Sequence, residues 1–214
     1  GEWSIPFGNY QGHSFSNLNQ ITANNISQLV EEYQVPTGTK GSHEAAPLIV
    51  NGIMYVVTPF PNNLIAVDLN NKGKIIWIFK PNPLSYSKGL TCCDVVNRGP
   101  AYGAGLVVYE LLDGNVVAVD ARLGTLKWKT KVAEPWTGET LNTQPLIVRN
   151  KVLLGSSGSE MGVRGSLRAL DLTTGRLLWR AFSTGPDSEV LVSDTFRPFY
   201  SCLLYTSDAA DDTP

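Results

Sequence analysis

Short apolar runs punctuated by turn residues recur along the chain, and their order repeats. Pro47-Leu48-Ile49-Val50 meets Asn51-Gly52 and then Ile53-Met54-Tyr55-Val56-Val57. Asn-Gly between two β-branched runs is the strongest short hairpin signal, because both turn positions need positive φ. Residues 64–69, a turn at 70–73 and residues 74–80 complete this first unit. The same order returns at 101–102, 106–111, 116–119 and 126–129, with turn residues at Gly103 to Gly105 and at Asp113-Gly114. A third round runs through 146–148, 152–154, 167–170 and 177–179, with a long loop before its third segment.

A motif inside each unit sets the period. Ala66-Val67-Asp68 leads to Gly73 and Trp77, Ala118-Val119-Asp120 to Gly124 and Trp128, and Ala169-Leu170-Asp171 to Gly175 and Trp179. Successive glycines, and successive tryptophans, are 51 residues apart. Four short antiparallel strands per unit at such a period predict an all-β fold, a partial β-propeller of about three four-stranded blades. The tryptophans of the fourth strands are expected to pack between neighbouring blades. The recurring aspartates Asp68, Asp120 and Asp171 share the period, so a turn role is expected of them rather than a carboxylate site.

Composition narrows the function classes. Hydrophobic residues make up 43% of the 214, mean hydropathy is -0.05, and no apolar run approaches the length of a membrane span. Seventeen basic against nineteen acidic residues give a net charge of -2, with no basic-aromatic stripe, which argues against nucleic acid as a partner. Two histidines, His13 and His43, leave little material for a histidine-based metal site or a Ser-His triad. The sequence opens at Gly1-Glu2-Trp3 with neither Met nor an export-signal pattern, and this end is expected to be a cut one. Residues 201–214 carry no strand period and are expected to be a non-native tail resembling adapter read-through, with a genuine acidic tail as the alternative, so residues 1–200 are taken as the propeller part.

With Cys202 in that tail set aside, two adjacent cysteines remain, Cys92 and Cys93. Their Cα atoms lie about 3.8 Å apart across a trans peptide, below the usual disulfide range of roughly 4.4–6.8 Å. A bond between them would close a strained ring, useful as a rigid plate at a ligand site; two separate buried thiols are the alternative.

The surrounding residues carry a resemblance. Cys92-Cys93-Asp94-Val95-Val96-Asn97-Arg98-Gly99, Gly41-Ser42-His43-Glu44-Ala45-Ala46-Pro47 and Thr58-Pro59-Phe60-Pro61-Asn62-Asn63 all resemble signatures of the quinoprotein alcohol dehydrogenases that use pyrroloquinoline quinone (PQQ). So do the run from Gly155 to Gly165 and the stretch from Trp179-Arg180 to Gly185-Pro186-Asp187. The resemblance spans residues 1–200 in order, and the methanol dehydrogenase branch is the nearest. It implies an eight-bladed propeller nearly three times this length, of which this chain holds the first three blades.

The resemblance also implies roles. Cys92 and Cys93, as a vicinal disulfide, would cover one face of the flat quinone. Arg98 would pair with its carboxylates and carbonyls through a planar fork. Ser157 and Gly158 would supply a hydroxyl and a close backbone approach, and Glu44 would bond the edge of the cofactor. Glu160 would give a hard oxygen to calcium or a lanthanide ion, which polarises the quinone as a Lewis acid. Asn142 stands where the family has a threonine. These residues precede the first strand of their units or follow the second, so they are expected to converge on one mouth of the propeller. Taken without the resemblance, Glu160 reads as a solvated loop carboxylate, Arg98 and Arg164 as surface residues, and His43 as a local loop contact.

The implied activity is oxidation of small primary alcohols of the methanol or ethanol class, with electrons passing to cytochrome c in the periplasm. A homo-oligomer or a small-subunit partner is left open. The catalytic base, the remaining metal ligands and the choice between calcium and a lanthanide are expected beyond residue 214. A non-catalytic propeller scaffold is the alternative; it requires neither the cysteine pair, nor Asn-Arg-Gly after it, nor a glutamate in the third long loop. A glucose-type quinoprotein is a third possibility, disfavoured by the adjacent cysteines.

Overall fold

The computed structural model describes residues 2–91, 95–185 and 189. Twelve strands form three four-stranded sheets. Blade 1 holds β1 (Leu48–Val50), β2 (Ile53–Val57), β3 (Leu64–Asp68) and β4 (Lys74–Phe79). Blade 2 holds β5 (Ala101–Gly103), β6 (Leu106–Glu110), β7 (Asn115–Asp120) and β8 (Leu126–Lys131). Blade 3 holds β9 (Leu146–Val148), β10 (Lys151–Leu154), β11 (Ser166–Asp171) and β12 (Leu177–Phe182). Every sheet is an antiparallel meander, as the periodic runs predict.

Local chemistry explains the repeat. Asn51 and Gly52 take φ of 52° and 74°, so the first hairpin turns as its sequence requires. Asp68, Asp120 and Asp171 each accept backbone N–H groups of the turn that follows, from Asn70, from Arg122 and Leu123, and from Thr173 and Thr174. In all three blades the third and fourth strands shift register at the alanine of the motif. That bulge adds local twist.

The packing is radial. Blade 2 is buried on both faces. Val107, Tyr109, Val117 and Val119 face Tyr55, Val57 and Leu64 of blade 1, while Leu106, Val108, Val116 and Ala118 face Ile147, Val152 and Leu170 of blade 3. Alternation along one strand thus feeds two cores. The tryptophans lock the blades at their outer edges. Trp77 lies against Gly124 and Trp128 against Gly175, where a Cβ would come within 2.6 Å of either ring. The Trp128 indole N–H also donates to Leu172 C=O at 2.9 Å. At Gly73 the corresponding space is filled by Tyr33 and Val35 of the leading segment.

At the mouth, buried Asn62 joins blades 1 and 2, accepting the Leu112 N–H at 3.2 Å on its side chain and the Tyr109 hydroxyl at 2.9 Å on its backbone carbonyl. The leading segment crosses the inner strands. Trp3 exchanges backbone hydrogen bonds with Ile49 at 2.8 and 3.0 Å, and the Tyr10 hydroxyl donates to Ile147 C=O at 2.6 Å. Among the described residues no helix is long and apolar enough to cross a membrane.

Candidate cofactor cleft

The loops entering β1, β5 and β9 are stitched together by backbone bonds. Ala46 N–H donates to Arg98 C=O at 3.1 Å, and Arg98 N–H donates to Asn142 C=O at 3.2 Å. Because each inner strand starts at the same rim, these loops meet at the axis. The loop leaving β10 joins them, since Thr140 and Ser157 exchange backbone bonds at 3.1 and 3.0 Å. In an antiparallel sheet the start of the first strand and the end of the second lie at one end, which is why segments far apart in sequence share this rim.

They enclose a cleft of about 990 Å³ lined by Pro6, Phe7, Ala46, Arg98, Thr140, Asn142, Thr143, Gln144 and residues 156–160. That size suits a cofactor. Arg98 is 60% exposed at its side chain, and its Nε lies 3.8 Å from Glu44 Oε2, the latter side chain 46% exposed. At that exposure the pair is a weak tether that a ligand can displace. The Ser157 hydroxyl donates to the Asn142 side-chain carbonyl at 3.2 Å, so the Asn142 NH₂ is the group available to an incoming acceptor. The Ser156 hydroxyl, on the same lining, is buried without a hydrogen-bond partner in the protein.

Gly158 has its own structural cause. Its φ is 125°, and a Cβ there would fall 2.2 Å from the Gly138 carbonyl oxygen. Glu160 sits exposed in the short 3₁₀ turn Ser159–Met161, on the lining of the cleft. Among the described residues no group of three or more His, Cys, Asp or Glu gathers to hold a metal. The structure therefore brings Arg98, Asn142, Ser157, Gly158 and Glu160 to one cleft and ties Glu44 to it through Arg98. Cys92 and Cys93 lie outside the described residues. His43 bonds Gly41 and Thr37 of its own loop at 3.0 Å each, and Arg164 bonds Glu189 at 2.7 Å; both stay apart from the cleft residues.

Several residues behind this lining escape sequence reasoning. Glu110 is fully buried, and its carboxylate accepts the Thr143 N–H at 2.8 Å and the Thr143 hydroxyl at 3.0 Å. Burial pushes this carboxyl up to about 8, although the Thr143 bonds and the nearby Arg168 pull the other way. Arg168, 1% exposed, pairs with Glu139, which Arg180 also approaches at 3.4 Å. Burial and the neighbouring Arg168 hold Arg180 below the usual guanidinium range. The signal for Glu110 was present as a lone acid inside the apolar run from Leu106 to Leu112. Pro6 and Phe7 had no such signal, because their segment forms no regular strand.

The donor set suits an anionic ligand. It offers a guanidinium, an amide NH₂ and two hydroxyls around an open axial cleft, with one carboxylate beside them. Fold and cleft together define a partial β-propeller with an axial cleft of cofactor size. The family model for the glucose/ethanol/alcohol dehydrogenase β-propeller domain (PQQ) matches residues 3–195, so the chain belongs to that family. It is 43% identical over 201 residues to methanol dehydrogenase [cytochrome c] subunit 1 of Methylorubrum extorquens, covering 91% of this chain and 32% of that one. It is also 43% identical over 198 residues to the lanthanide-dependent methanol dehydrogenase of Methylacidiphilum fumariolicum, covering 92% and 32%. A solved europium-containing methanol dehydrogenase superposes with a TM-score of 0.88 at 43% identity, over 91% of this chain and 34% of that one. The chain thus spans about a third of the length of the curated relatives it matches.

Proposed function

We propose that this chain is the PQQ-holding first part of an alcohol dehydrogenase that oxidises small primary alcohols and passes electrons to a cytochrome c. The observation that supports it most is the shared cleft, where Arg98, Asn142, Ser157 and Glu160 stand around one axial opening. Arg98 would turn from Glu44 to the carboxylates of the quinone, and the Asn142 NH₂ would serve where relatives use a threonine. Ser157 would hold Asn142 in the orientation that presents this amide. Glu160 would take calcium or a lanthanide as a hard oxygen donor. When bound, the metal-quinone pair supplies the two-electron acceptor for the alcohol.

The names of the relatives support a small alcohol substrate, and the "subunit 1" in one of them fits a small-subunit partner. We place the whole protein in the periplasm, where Cys92 and Cys93 would close as a vicinal disulfide over the quinone. Mass measurement after alkylation without reductant tests that bond, and two alkylated thiols at 92 and 93 would contradict it.

Three blades leave the outward face of blade 3, with exposed Leu146, Val148 and Leu167, for a fourth to cover. Catalysis therefore needs the rest of a propeller. A hybrid in which residues 3–185 replace the matching third of the Methylorubrum extorquens subunit supplies it. After loading with PQQ and calcium or a light lanthanide, the hybrid should oxidise methanol with an artificial dye acceptor, while the 214-residue chain alone should not. A folded hybrid that neither retains the quinone nor turns over would contradict the reading.

A further inference from the structure

Glu110 touches neither solvent nor the cleft, yet both of its polar ends serve the cleft. Its backbone C=O accepts the Asn97 side-chain NH₂ at 2.8 Å, and Asn97 in turn accepts the Gly99 N–H at 2.9 Å, closing the turn that carries Arg98. Its carboxylate holds Thr143, the residue after Asn142, by two donors at 2.8 and 3.0 Å. One buried residue at the end of β6 therefore grips both neighbours of the two side chains proposed to meet the quinone. The direct bond from Arg98 N–H to Asn142 C=O lies between these two grips.

We infer that Glu110 is a positioning residue, which fixes the spacing of Arg98 and Asn142 across the quinone cleft. The inference rests on the quinone reading for its ligand, but the anchor itself is a property of this chain. A surface carboxylate could not do this work, because water would compete for Thr143. Buried, the side chain has few other partners, so the Asn142 loop inherits its rigidity and the backbone bond from Arg98 N–H to Asn142 C=O passes it to the Arg98 loop. Both Thr143 donors, the N–H and the hydroxyl, point at the carboxyl, so the anchor holds whether or not that group carries its proton. Ionisation leaves those bonds in place and acts on the cleft by placing a negative charge behind a lining that offers donors to an anion. The charged group that faces Glu110 from another element is Arg168 on β11, whose own partner is Glu139, itself shared with Arg180.

The test uses the hybrid that carries residues 3–185 in the Methylorubrum extorquens subunit, with three substitutions, Glu110→Gln, Glu110→Leu and Thr143→Val. Backbone amide resonances of Arg98, Asn142 and Thr143 are followed from pH 6 to 9, and PQQ affinity is measured by fluorescence quenching over the same range. In the unsubstituted hybrid the three amides should shift together with one midpoint near the Glu110 titration, and affinity should fall through it. Glu110→Gln should keep affinity within a few-fold and abolish the pH step. Glu110→Leu should move all three amides and weaken PQQ by about 10-fold or more, the scale on which supporting shells matter. Should Glu110→Leu fail to fold, Thr143→Val removes one leg of the anchor and should move Asn142 with a smaller loss. Amides and affinity unchanged in the folded Leu or Val variant would overturn the inference. Coupled amide shifts without any PQQ binding by the unsubstituted hybrid would uphold the anchor and contradict the quinone reading instead.

Discussion

The ring of Trp128 rests on Gly175, with no room for even a methyl group between them. A Cβ at Gly175 would sit 2.6 Å from two ring carbons and 2.7 Å from the Thr130 hydroxyl, at a φ of 71° that disfavours any side chain. Gly175→Ala should therefore lower stability by roughly 2–4 kcal/mol, combining overpacking with backbone strain. Gly105→Ala meets nothing within 4 Å at a similar φ of 76° and isolates the strain alone. Denaturant unfolding of the two variants should show a larger loss for Gly175. Equal losses would mean that the ring contact contributes nothing.

The same packing shows how much of the fold can be read from residue patterns. The 51-residue spacing exists because the glycine of one blade receives the tryptophan of the previous one, so the motif marks an interface as well as a turn. Strand boundaries were legible for a similar reason, since Asn51-Gly52 and the apolar alternation both arise from local geometry. The leading segment was not. Trp3 and Tyr10 are held by Ile49 and Ile147, partners about 46 and 137 residues away, and their own stretch has no period to betray it. In the cleft, Arg98, Asn142 and Ser157 could be placed from their positions relative to strands. Thr143 and Gln144 could not be ranked, because a loop threonine or glutamine looks the same whether it supports a site or faces water.

Arg168 and Glu139 form a buried pair between blades 2 and 3, with one Arg168 nitrogen, Nη1, left without a partner. Glu139→Gln strips the compensating charge from a nearly inaccessible guanidinium. The expected loss is roughly 3–5 kcal/mol. Arg168→Met combined with Glu139→Leu should recover most of it, because no isolated charge remains buried. Thermal and urea unfolding of the single and double variants would show this. A double variant as unstable as the single one would contradict the argument.

Stability should also depend on pH through Glu110. Its folded value, about 8, lies above the ordinary 4.5, so the unfolded chain gives up this proton first as pH rises. The contribution of the neutral buried form is fully present below about pH 4.5. It declines as pH climbs toward 8 and then levels off. Over that window the wild type should lose roughly 1.4 kcal/mol per pH unit at most relative to Glu110→Gln, which carries no titrating group. Parallel stability curves for the two proteins from pH 5 to 8 would show that Glu110 is ionised in the fold at neutral pH.

The mouth of this propeller is proposed to hold quinone and metal together, and the anomalous signal of a light lanthanide tests this most directly. Crystals of the hybrid loaded with PQQ should show one lanthanide peak about 2.3–2.6 Å from a Glu160 carboxylate oxygen, the distance expected for hard-cation coordination. Quinone density should lie beside it, within hydrogen-bond reach of Arg98 and Asn142. A lanthanide peak at another place in the hybrid, or a quinone with Glu160 turned away from it, would contradict the account.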